Sequence, residues 1–150
     1  MSTSRKKTQK KETVGQIMTK KLVSLPTSKK TIDALDVMVR RNVGSVLILE
    51  HSKLYGIITE RDIVRKITKD FDYLDRRLKE TATRPVITVS SETNIIDAFS
   101  LLLEKKIRRL PVQEDGKLLG IVTERDLFKW VVEVGRELPM KVRNMVSESP

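Results

Sequence analysis

Apolar positions change their spacing several times along this chain, and the changes divide it into elements. Leu22-Val23-Ser24-Leu25 is a short β-rich run closed by the turn formers Pro26-Thr27-Ser28. Ile32, Leu35, Val39 and Val43 then recur three or four residues apart, the spacing of one helix face. Val46-Leu47-Ile48-Leu49 is a continuous apolar run of strand length. The polar turn Glu50-His51-Ser52-Lys53 separates it from Leu54-Tyr55-Gly56-Ile57-Ile58, so the two runs predict a hairpin. Ile63, Val64 and Ile67 return to helical spacing. The predicted order is β-α-β-β-α.

The same order is met a second time. Gly56-Ile57-Ile58-Thr59-Glu60-Arg61-Asp62-Ile63 recurs as Gly120-Ile121-Val122-Thr123-Glu124-Arg125-Asp126-Leu127, at an offset of 64 residues. At that offset Ile32-Asp33-Ala34 falls on Ile96-Asp97-Ala98, and Thr19 on Thr83, with no gap from Thr19–Ile67 to Thr83–Val131. The second unit therefore reads as the strand Val86-Ile87-Thr88-Val89 and a helix through Ile96, Phe99, Leu103 and Ile107. The run Leu110-Pro111-Val112, the return Leu118–Val122 and a helix through Leu127, Trp130, Val131 and Val134 follow. The expected boundaries are a basic tail (1–12), a first unit (13–70), a second unit (71–135) and a C-terminal tail (136–150). Units of about 50 residues are near the lower limit for folding alone, so the two are expected to pack together and share a core.

Composition narrows the chemistry. Among 150 residues there is no Cys, which excludes disulfides, thiol nucleophiles and thiolate metal sites. His51 is the single histidine and sits in a polar turn, so His metal clusters are excluded and a Ser-His-Asp triad has no support. No apolar run approaches the ~20 residues of a bilayer span. The basic start is not followed by an apolar stretch, which argues against a secretory signal. A cytoplasmic α/β (α+β) protein is expected. The net charge is +10, and residues 1–11 carry Arg5, Lys6, Lys7, Lys10 and Lys11 without an acid. That tail has too little apolar content to order itself. It fits a solubilising tail, or an arm that touches nucleic acid. Six aromatics supply no platform for stacked bases. With no Gly-rich phosphate loop and no dinucleotide fingerprint, the chain is expected not to be an enzyme.

Thr59-Glu60-Arg61-Asp62 and Thr123-Glu124-Arg125-Asp126 each stand where a strand gives way to a helix. Thr at the N-cap with an acid three residues on makes a capping box. The same geometry offers free amides to an anion. Thr and Arg add phosphate contacts, and a carboxylate one turn in accepts from two vicinal hydroxyls. Phosphate at the helix tip and ribose at the acid describe a nucleotide, and a cap can be released to a ligand.

The tandem β-α-β-β-α unit with Gly-Ile-(Ile/Val)-Thr-Glu-Arg-Asp resembles the cystathionine-β-synthase (CBS) domain family. So do Val14-Gly15-Gln16-Ile17-Met18-Thr19 and Arg109-Leu110-Pro111-Val112. The resemblance spans Thr13 to Val134. It implies two domains packed sheet to sheet as a pseudo-two-fold pair, with clefts between them for AMP, ADP, ATP or S-adenosylmethionine. It implies a non-catalytic, energy-sensing regulatory module, commonly a homodimer, that acts on a separate effector protein. One cleft would join Thr59, Arg61 and Asp62 to Thr83, Ile87, Ile107, Arg108 and Arg109. Asp62 would hold ribose, Thr59 and Arg61 phosphate, and Ile87 and Ile107 adenine. The other would join Thr123, Arg125 and Asp126 to Thr19, Val23, Val43, Gly44 and Ser45. Arg108-Arg109 in the first cleft stands where the second has Gly44-Ser45, so the first suits a polyanion better. Leu47 stands where the second unit has Pro111, a departure from the pattern. Ile32, Leu35, Val39, Ile96, Phe99 and Leu103 are the candidate dimer surface.

Overall fold

The computed structural model describes residues 12–134; the basic tail 1–11 and residues 135–150 lie outside the described residues. The first unit holds β1 (Ser24–Pro26), α2 (Thr31–Arg41), β2 (Ser45–Glu50), β3 (Lys53–Thr59) and α3 (Glu60–Ile67), preceded by the short helix α1 (Val14–Ile17). A 3-10 turn (Tyr73–Asp75) leads to α4 (Leu78–Thr81). The second unit follows as α5 (Ile95–Lys105), β4 (Arg109–Glu114), β5 (Lys117–Thr123) and α6 (Glu124–Val134). β1 runs parallel to β2, and each hairpin, β2-β3 and β4-β5, is antiparallel. The 64-residue offset holds down to backbone detail. Both hairpins shift register at the same place, between Ile48 and Leu49 and between Val112 and Gln113. Positive φ falls on Asn42 and Lys106, on His51 and Asp115, and on Ser52 and Gly116. Two consecutive residues of positive φ suit a two-residue hairpin turn, whose twist matches the strands it joins.

One predicted strand is not a ladder member. Val86–Val89 joins the second sheet only through the bridge Val89 to Val112. Pro111 supplies the reason. In the first unit the Leu47 amide donates to the Val23 carbonyl at 3.0 Å. The matching amide would belong to Pro111, which has none to give. The Ile87 carbonyl thereby lacks the bond that Val23 accepts, and Thr88 lacks the pairing that Ser24 makes with Leu47.

The expected shared core is instead two clusters, and the units trade short segments to complete them. α1 opens the first unit in sequence, yet Val14 is fully buried among Ile95, Phe99, Leu110 and Val122 of the second. α4 belongs to the second in sequence, yet Leu78 is fully buried among Ala34, Met38, Val46 and Ile58 of the first. Each of these lead-in segments ends by pairing with the opposite hairpin, Thr19 with Ile121 and Thr83 with Ile57. The approach is close. A Cβ on Gly56 would stand 2.8 Å from Ala82 Cβ, and one on Gly120 would stand 2.8 Å from the Thr19 carbonyl oxygen. Glycine at both places is what lets the traded segments lie against the strands.

The candidate dimer face divides. Val39 is 74% exposed and Ile32 42%. Leu35, Ile96 and Leu103 pack on the two cores. Phe99 belongs to the second core, where its ring meets Phe128 edge-on at 5.9 Å.

Tyr73 carries a buried hydroxyl without a hydrogen-bond partner among the described residues. Burial, and after it the charge of Asp62, pushes its pKa up to about 12 from the usual 10. An unmet buried hydroxyl costs about 1–3 kcal/mol. Tyr73→Phe is therefore expected to hold or raise the melting temperature at pH 7. The sign at alkaline pH follows from linkage. The raised value keeps the proton on the folded state, so wild type loses stability as pH climbs from 10 to about 12. The Phe variant should lack that component of the alkaline loss in melting scans.

Candidate functional site

The site is assembled at the end of β3. Thr59 leaves the strand with extended φ/ψ and caps α3. Its amide and hydroxyl donate to Asp62 Oδ2 at 3.1 and 2.9 Å, while the Asp62 amide donates to Thr59 Oγ1 at 3.2 Å. The copy at Thr123 and Asp126 repeats these bonds at 2.8, 3.0 and 3.3 Å. Both capping boxes are thus formed. The cap bonds fall on Oδ2, and a carboxylate has acceptor capacity beyond them. At the first box the Thr83 hydroxyl also reaches Asp62 Oδ2 at 3.5 Å. The lead-in exchange places it there.

A cavity of about 920 Å³ opens over this helix tip. It is lined by Thr59, Arg61, Asp62, Thr83, Ile87, Ile107, Arg108 and Arg109, all eight residues assigned from sequence to the first cleft. Ile57, Val64, Pro85, Val86 and Pro111 add apolar wall. Glu60, Arg65 and Lys106 also face it and were not foreseen. Arg65 lies one helical turn beyond Arg61, a spacing legible in sequence. Lys106 reaches the cavity through a left-handed residue at the end of α5, φ 54°, which only the backbone path reveals.

Gly44, assigned from sequence to the second cleft, lines this cavity instead. Its carbonyl sits over α3, accepting the Glu60 amide at 3.1 Å and Arg109 Nη1 at 3.2 Å. The loop before a β2-type strand lies over the helix of its own unit. The second copy agrees, with the Glu124 amide donating to the Arg108 carbonyl at 2.8 Å.

The other residues of the second set hold the places that their counterparts hold in the first. Thr123 and Asp126 cap α6, Arg125 is exposed, and Thr19 pairs with Ile121. Ser45 opens β2 opposite Thr59. Val23 and Val43 pack on the first core.

Electrostatics favour an anion. Five cations (Arg61, Arg65, Lys106, Arg108, Arg109) line the cavity against two carboxylates, Glu60 and Asp62. Burial and the neighbouring Arg108 charge push the Arg109 guanidinium below its usual pKa, while Glu60 and Asp62 pull it back. The guanidinium stays charged in any case, so the crowding is relieved by bringing in negative charge. Among the described residues no His, Asp or Glu cluster is arranged to hold a metal. None of their helices is long and apolar enough to cross a membrane.

Two stretches, residues 14–69 and 78–133, match the CBS domain. The chain belongs to the CBS-domain family. This CBS pair is 34% identical over 119 residues to the uncharacterised protein MK0525 of Methanopyrus kandleri, a match covering 77% of this chain. It spans 61% of that relative's length. The solved CBS-domain structure NE2398 superposes with a TM-score of 0.75 at 32% identity, covering 81% of this chain and 98% of that one. CBSX2, solved in complex with AMP, gives a TM-score of 0.74 at 30% identity, with 83% and 98% covered.

Proposed function

We propose that this CBS pair is a non-catalytic regulatory module that binds an adenosine nucleotide in the cavity over α3. The observation that carries the reading is the convergence of a helix tip, a carboxylate, five cations and apolar walls on one cavity. The AMP complex of CBSX2 supports it. In this reading the amides at the start of α3, with Thr59, Arg61 and Arg108, hold phosphate. Asp62 accepts from the ribose hydroxyls, and adenine lies between Ile87 and Ile107. The excess of cations selects a polyanion over the sulfonium of S-adenosylmethionine. Binding then ties Thr59 and Asp62 of one unit to Thr83 and Ile87 of the second, which is how occupancy would be passed to a separate effector protein. A cytoplasmic homodimer completes the reading.

Calorimetric titration with adenosine, AMP, ADP, ATP and S-adenosylmethionine tests it. Losing one charged hydrogen-bond partner costs about 1.5–3 kcal/mol, or roughly tenfold to a hundredfold in affinity. Arg108→Ala is expected to weaken ADP and ATP by that amount and adenosine far less. No binding of any nucleotide at millimolar concentration would overturn the function.

A further inference from the structure

Two neighbouring arginines line the cavity under different conditions. Arg108 is exposed. Arg109 is half-buried, and its Nη1 donates to the Gly44 carbonyl of the other unit at 3.2 Å. On the reading of this cavity as a nucleotide site, we propose that Arg109 is a strapped phosphate contact. A phosphate-bearing ligand takes the place of the Gly44 carbonyl, and Gly44 sets how firmly the strap holds and so how well the ligand competes.

The bond can be given up at little cost to either unit. A carbonyl oxygen has two lone pairs, and the Gly44 oxygen also accepts the Glu60 amide at 3.1 Å. The same loop is pinned by the Val43 amide, which donates to the Met38 carbonyl at 3.1 Å. Departure of Arg109 therefore leaves the Gly44 carbonyl with a partner and the loop in place. Arg109 itself opens β4, where the ladder pairs it with Thr123. Its backbone is held, so only the side chain has to swing.

The charges favour the exchange. Arg109 shares the cavity with Arg61, Arg65, Lys106 and Arg108. Burial, and after it the Arg108 charge, work against its own positive charge, and Glu60 and Asp62 offset them in part. A neutral carbonyl gives the guanidinium one acceptor. A phosphate gives it full opposite charge and a second oxygen for a bidentate bond. The strap also parks Arg109 beside the first amide of α3, Glu60, at the helix tip where an anion is favoured.

Gly44 is what admits the strap. A Cβ there would stand 3.3 Å from Arg109 Nη2 and 3.7 Å from Glu60 Oε1. The φ of Gly44 is not positive, so alanine suits the backbone and crowds the guanidinium. At the 64-residue offset Gly44 corresponds to Arg108, and Arg109 to Ser45. A serine hydroxyl lacks the reach of an arginine. The Glu124 amide still donates to the Arg108 carbonyl at 2.8 Å, so the pinned loop is common to both units and the strap belongs to one.

Calorimetric titration with ADP and with adenosine, on wild type, Gly44→Ala, Arg109→Ala and the double variant, tests the proposal. Melting curves on the same samples show that each chain is folded. Loosening the strap while keeping the arginine should tighten ADP by roughly two- to tenfold, the worth of about one hydrogen bond. Adenosine has no phosphate and should gain nothing. Arg109→Ala should weaken ADP, and in that background Gly44→Ala should tighten nothing. Any loss seen there is the effect of the added methyl alone, and the cycle subtracts it. Equal effects of Gly44→Ala in both backgrounds, or a coupling that weakens ADP, would overturn the strap and leave nucleotide binding standing. So would unchanged ADP affinity with a lowered melting temperature in both single variants, the result for a purely structural bond. Wild type that binds no ADP would overturn the strap and the nucleotide site together.

Discussion

Asp62→Ala is expected to abolish the tighter of the adenosine-nucleotide binding events, while Asp126→Ala leaves that event in place. Both residues close a capping box with the same three bonds. Losing such a cap costs about 1 kcal/mol, so the two variants should lose similar stability. They differ in surroundings. Asp62 faces the cavity lined by Arg61, Arg65, Lys106, Arg108 and Arg109, and is reached by the Thr83 hydroxyl. If Asp62 accepts from a ribose, its removal leaves two hydroxyls without a charged acceptor, a loss of about tenfold to over a hundredfold. Melting curves report the cap, and calorimetry on the same samples reports the ligand. Equal affinity losses for the two variants would remove the asymmetry, and unchanged affinity for Asp62→Ala would remove Asp62 from the site.

Leu78→Ala should destabilise the protein more than Asp62→Ala, Asp126→Ala or Arg108→Ala, at about 2–5 kcal/mol for a fully buried leucine. The damage should appear in the first unit. By sequence Leu78 belongs with the second, beyond the first unit's last helix. In space it packs on Ala34, Met38, Val46 and Ile58. Its amide donates to the Lys29 carbonyl at 2.8 Å, so the segment is held by backbone as well as by burial. Hydrogen exchange read by residue separates the alternatives. Amides of β2 and β3 should exchange faster in Leu78→Ala, with β4 and β5 less affected. Faster exchange confined to β4 and β5 would place the helix with the wrong core.

Local interactions made much of this molecule legible in the sequence. The repeat is a fact of residue identity. The helices α2, α3, α5 and α6 follow from apolar spacing, because a helix buries one stripe. The hairpins follow from apolar runs around turn residues. The Thr-Glu-Arg-Asp caps close between residues three apart, so spacing was enough to foresee them. Pro111 also stood in view. Its missing amide, opposite a carbonyl far away in sequence, mattered only once that pairing was known, and it left Thr88 without the pairing that Ser24 makes.

The tertiary structure alone decided the trade of α1 and α4 between the units. Val14 and Leu78 look alike to any local test, and which core each completes depends on the path of the chain and the shape of the groove that receives it. The glycines at 56 and 120 owe their necessity to backbone from the other segment, 2.8–3.0 Å from where a Cβ would stand. The same holds for the cavity. Gly44, Arg65 and Lys106 join Arg108 and Arg109 there because a loop, a helix face and a left-handed turn end at one place. Such convergence leaves no period in the sequence, since the residues that meet are set by how whole elements pack and not by their spacing along the chain.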